Sequence, residues 1–83
     1  MFTEKTFYCI YSREKGYFLN KTINNVLVGY KFDNIHEFDF EGVRIFKKYE
    51  EKDGRDLVKS LKKETPDALF ITVKVVLYPS EED

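Results

Sequence analysis

Tryptophan is absent from this chain, cysteine and histidine occur once each, and only two prolines and four glycines punctuate its 83 residues. A single thiol, Cys9, permits neither an internal disulfide nor a cysteine-built zinc site. Small secreted domains lean on such staples, so a reducing, cytoplasmic setting is expected. A lone histidine, His36, provides no second imidazole for a metal; on a strand its neighbour Glu37 would point to the other face. No metal and no cofactor is expected. No apolar run approaches the ~20 residues of a membrane span. The opening stretch MFTEKTFYCIYSREKG lacks the basic, apolar and small-residue succession of a signal peptide. Asn20-Lys21-Thr22 fits the glycosylation sequon, but without secretion the match is read as chance. Also missing are the G-x-S-x-G elbow and any glycine-rich phosphate loop. Nor is there an excess of charge: 14 basic against 15 acidic side chains leave a net −1. That balance excludes a polycationic nucleic-acid or membrane binder, and a wholly acidic DNA mimic, at the level of the whole chain.

What the chain has is rings: eight Phe and six Tyr. Each can bury roughly 150–250 Å², which suits a small domain that must build a dense core. The length predicts one domain over 1–79, followed by an acidic tail at 80–83. Residues 6–11 (TFYCIY) alternate and read as a first strand. Phe7, Cys9 and Tyr11 share one face of it, Tyr8 and Ile10 the other. A polar stretch ending in Gly16 leads to strands at 17–23 and 26–32, joined by Asn24-Asn25, residues that tolerate positive φ. Gly29 marks a bulge or a close backbone approach. Residues 37–41 (EFDFE) alternate as a half-buried strand, and 43–46 (VRIF) form a further strand or an extended lead into a helix.

The helix is expected within 47–65, with Tyr49, Leu57, Val58 and Leu61 on its apolar stripe. It starts near Tyr49 and tolerates Gly54, or it starts at Asp53 used as an N-cap. Pro66 stops it. Residues 68–78 (ALFITVKVVLY) make the strongest strand, with Leu69, Ile71, Val73, Val75 and Leu77 on a wholly apolar face. Such a run is expected inside a sheet. The order β-β-β-(β)-α-β predicts an α+β fold: an antiparallel or mixed sheet of four to five strands with one helix on one face.

Reactive groups are few. A Cys9–His36 dyad is formally a nucleophile and base, but a mid-strand cysteine between rings behaves as a small hydrophobe. Pro66-Asp67 followed by Thr72-Val73-Lys74 resembles a nuclease pattern, yet Thr72 stands where that pattern needs a second metal-binding acid. The chain is therefore read as non-enzymatic. Basic and aromatic residues interleave over 1–32, with five bases against two acids. Tyr8, Tyr17 and Tyr30 with Arg13, Lys15, Lys21 and Lys31 would make a stacking face for single-stranded nucleic acid, the alternative reading. Residues 33–42 hold Asp33, Glu37, Asp39 and Glu41 without a base; this strip, with Tyr17 and Tyr30 as ring anchors, suits a protein partner carrying a basic groove. Strand one or strand three, if at an exposed edge, would template a homodimer.

Three stretches carry a resemblance: Lys15-Gly16-Tyr17-Phe18-Leu19-Asn20, Gly29-Tyr30-Lys31-Phe32, and 44–51 (RIFKKYEE). Together they resemble small uncharacterised accessory proteins of phages and prophages of low-GC Gram-positive bacteria. The resemblance implies a context rather than a chemistry, because such proteins often bind and inhibit or redirect a host protein. The expected function is thus a protein-binding module acting on a host protein in the host cytoplasm.

Overall fold

The computed structural model describes residues 3–32, 38 and 41–77. The fold is α+β: a four-stranded antiparallel sheet with one helix packed on it. In chain order the elements are β1 (Thr3–Ser12), β2 (Gly16–Ile23), β3 (Val26–Tyr30), α1 (Glu51–Leu61) and β4 (Leu69–Leu77), with a 3₁₀ turn, Lys48–Glu50, leading into α1. The strands lie in the order β3-β2-β1-β4.

β1 runs longer than its alternating core because β4 pairs with all of it but Ser12, from Thr3↔Leu77 to Tyr11↔Leu69. β1 is therefore central, not an edge, and β4 is an edge rather than an inner strand. Among the described residues the two edges are β3 and β4. The Asn-Asn turn forms as its chemistry requires, with Asn24 and Asn25 at φ 54° and 65°. Gly16 closes the β1–β2 turn at φ 83°, a region glycine enters without a Cβ penalty. Gly29 answers to the close approach, whereas the irregularity next to its pair with Phe18 lies in β2. The β2–β3 register shifts between Phe18 and Thr22, and the backbone of Lys15 crosses where a Gly29 Cβ would stand.

β1 and β2 pair only at Tyr11↔Tyr17 and Ser12↔Gly16, then part. The extended lead at 42–46 fills the fork. Its amide of Arg44 donates to Phe18 O (3.0 Å) and Asn20 N–H donates to Gly42 O (2.8 Å), while Tyr8 and Phe46 exchange two bonds of 2.8 Å. Leu19↔Val43 and Tyr8↔Phe46 are thus bridged, and otherwise orphaned backbone groups are satisfied.

The helix begins at Glu51, ahead of Asp53. Lys47 N–H donates to Glu50 Oε1 at 2.9 Å and settles the entry turn. Tyr49 is left 81% exposed and is not part of the apolar stripe. Gly54 takes that place in the stripe beside the buried Val58 and the half-buried Leu57 and Leu61. A Cβ at Gly54 would strike the Phe70 ring and stand 3.1 Å from Phe46 Cγ. Its helix cost of about 1 kcal/mol is what close approach to the sheet requires. The core between helix and sheet is Tyr8, Ile10, Phe18, Phe46, Val58 and Ala68.

The expected strand at 37–41 falls largely outside the described residues. Within it, Phe38 is half-buried and Glu41 begins an exposed turn. The acidic tail at 80–83 also lies outside them.

Candidate functional site

Alternation sends Tyr8 and Ile10 of β1 toward α1, and Phe7, Cys9 and Tyr11 toward the other face. Tyr17, the cross-strand partner of Tyr11, stands on that second face, as does its own partner Tyr30. Here the rings gather around Tyr17. Its centroid lies 4.9 Å from Tyr11, 5.7 Å from Phe32 and 5.1 Å edge-on from Phe38. Phe32 in turn meets Tyr30 at 5.1 Å and Phe38 at 5.8 Å. Such tilted and edge-on pairs match the ring quadrupoles.

A cavity of about 320 Å³ opens on this cluster, lined by Tyr11, Arg13, Gly16, Tyr17, Lys31, Phe32 and Phe38. It lies at the small end of the range for ligand-sized pockets, about 300–1,000 Å³. Two cations stand beside four rings, and among the described residues no carboxylate pairs with either side chain. Arg13 is held there by its backbone. Asp67 accepts from Ser12 Oγ (2.8 Å), Arg13 N–H (3.0 Å) and Glu14 N–H (3.4 Å). Ser12 Oγ itself accepts from Glu14 N–H (3.2 Å) and Lys15 N–H (3.1 Å). The Ser12 hydroxyl, and then the turn amides, hold the Asp67 carboxyl below its usual range. The acid of the nuclease-like pattern is thus a clamp that pins the β1–β2 turn to the loop before β4.

Cys9 is fully buried, and burial pushes its thiol up to about 11. It stays protonated and packs as a small apolar group. Burial, then the neighbouring Cys9 and Tyr11, raises the Tyr17 phenol as well, so its O–H remains a neutral donor. Among the described residues no group of three or more His, Cys, Asp or Glu side chains is placed to hold a metal. No helix among them is long and apolar enough to cross a membrane.

No family model, curated protein or solved structure matches the chain.

The sequence-predicted residues do not all meet. Tyr17, Arg13 and Lys31 meet at the cavity, with Tyr30 on its flank 55% exposed. Lys15 sits in the turn beside them, its backbone against Gly29. Tyr8 does not join: it is buried under the helix, stacked on Phe70 at 5.1 Å and 17°. The expected Tyr8/Tyr17/Tyr30 face is therefore corrected, because Tyr17 and Tyr30 share the face of Tyr11, and Tyr8 and Tyr11 of β1 cannot share one face. Lys21 is exposed toward the far end of β2, four residues and roughly 13 Å along the strand from Tyr17. Asp33, His36, Glu37 and Asp39 lie outside the described residues, and Glu41 is exposed. Phe32 stands two residues after Tyr30 and so joins its face by alternation, whereas Phe38 carries no local signal that would single it out.

Proposed function

We propose that this chain is a non-enzymatic protein-binding module, of the kind by which a phage protein inhibits or redirects a host protein in the cytoplasm. The observation that supports the reading is the ring cluster around Tyr17, open to solvent through a cavity that carries Arg13 and Lys31. Tyrosine and arginine are the side chains that most often anchor protein interfaces, since they offer large contact area at small entropy cost. The acidic strip Asp33, Glu37, Asp39 and Glu41 follows Phe32 in the chain and adds a second sign of charge for orienting a partner. A photo-crosslinking residue at Tyr30, used in host lysate, tests the reading. It should yield one dominant protein adduct that R13E and Y17A both abolish. An adduct that survives both variants, or no adduct from the folded domain, overturns it.

The two cations beside stackable rings, without a carboxylate partner among the described residues, favour one second reading, a binder of single-stranded nucleic acid. Affinity for an oligonucleotide that falls with salt and with R13E and K31E would establish it. No binding at low salt would remove it.

A further inference from the structure

Natural sheets protect their edges with short strands, bulges, charges or proline. β3 follows that practice: five residues, a register shift against β2, Gly29 within it and Lys31 just beyond. β4 does not. It is nine residues long, paired to β1 without a break, free of proline, and carries one charge, Lys74. Its outer edge bears no strand among the described residues. Leu69 and Leu77, at its two ends, are 54% and 60% exposed.

We propose that β4 pairs with β4 of a second copy, antiparallel about a two-fold axis at Val73, joining two sheets into one of eight strands. A two-fold axis normal to a sheet allows only registers in which one residue faces itself. Centring on Val73 alone uses the whole strand. It sets Leu69 opposite Leu77, Ile71 opposite Val75 and Phe70 opposite Val76. The two most exposed apolar side chains of β4 then cover each other at both ends of the seam. The single charge, Lys74, falls opposite Thr72, whereas centring on Lys74 would oppose two ammonium groups directly. The helices do not obstruct the seam. α1 sits over Phe70, and Phe70 meets the partner's Val76, so the two helices are offset by six residues, roughly 20 Å, along the strands. The symmetric pairing also closes the edge: no free β4 remains to recruit a third copy.

Light scattering on the eluting 83-residue chain should give twice its 9.9 kDa mass. A monomer at the highest soluble concentration overturns the proposal. V73C should form an intermolecular disulfide under mild oxidation, because facing residues of an antiparallel pair have Cα atoms about 4.5–5.5 Å apart, within disulfide reach. L77C, eight residues from its own copy across the seam, should not. The buried Cys9 leaves the wild-type chain as an unreactive control. Crosslinking of both variants, or of neither, overturns the register. L69K/L77K, at two exposed positions, should keep the circular dichroism of the wild type and weaken dimerisation about tenfold or more, while L69K/L77E restores it. R13E/K31E, at the aromatic cavity, should leave the dimer intact. A dimer insensitive to the β4 charges is not the one proposed.

Discussion

On the helix side of the sheet Tyr8 stacks on Phe70, and Phe46 closes over them both. On the opposite side Tyr11, three residues along the same strand, ends at a cavity among Tyr17, Phe32 and Phe38. The side chains are of one chemical kind and the strand is the same, but the neighbours differ. A helix with a glycine at its point of closest approach seals the first face. The second is lined by rings that lean on one another and carries two cations at its opening. The comparison teaches that a count of aromatic residues says nothing about use. What separates scaffold from candidate binding surface here is which parity of the strand a ring occupies, and whether, among the described residues, a regular element covers that side.

Substitutions on the two sides can break or sharpen that distinction. The largest effect is expected from Phe18→Ala. Phe18 is 2% exposed in the helix-side core, and its loss should cost about 3–5 kcal/mol of unfolding free energy in a urea titration. Gly54→Ala comes next. The added methyl meets the Phe70 ring, so overpacking should cost about 1–3 kcal/mol despite alanine's better helix propensity. A stabilised variant would show that the helix does not press on the sheet as described. Asp67→Asn should act through pH. The Asp67 carboxyl has a depressed pKa in the folded state, so its contribution is present above the unfolded value and is lost as pH falls through the folded one. Stability should therefore decline less steeply on acidification in the variant than in the wild type. Equal slopes would mean that the clamp on the β1–β2 turn has no energetic part. The smallest effect on stability belongs to Tyr30→Ala, within about 0.5 kcal/mol at this 55% exposed position. The same change should weaken binding of the partner identified by crosslinking about tenfold or more, read with the purified partner, since a surface used for binding separates affinity from folding.

The order of elements and the helix were legible because they rest on local signals: alternation in 6–11, the Asn24-Asn25 turn, the leucines at helical spacing, and Pro66. The parity rule that separates Tyr8 from Tyr11 was legible too. Alternation tells the two faces of β1 apart, and once Tyr17 is set opposite Tyr11 a face that groups Tyr8 with Tyr17 contradicts it. The edge position of β4 was not legible. A continuous apolar run is the mark of a strand flanked on both sides, and nothing local distinguishes a neighbouring strand from a partner molecule. The aromatic cavity was legible only in part. Tyr17, Arg13 and Lys31 stood out by type, and Phe32 follows Tyr30 in alternation, but no periodicity brings Phe38 to Tyr17. Gly54 read as a tolerated weakness in a helix, whereas its reason lies in a ring from β4.

The fork between β1 and β2 bears on how this molecule is assembled in time. Its middle strand has almost no local partner: past the turn, Tyr8 waits for Phe46 on one flank and Thr72 on the other. Bringing distant stretches together costs closure entropy before any contact repays it. Refolding should accordingly run in milliseconds to seconds, not microseconds, and a nascent chain that has emerged only as far as the second turn would hold no sheet to speak of.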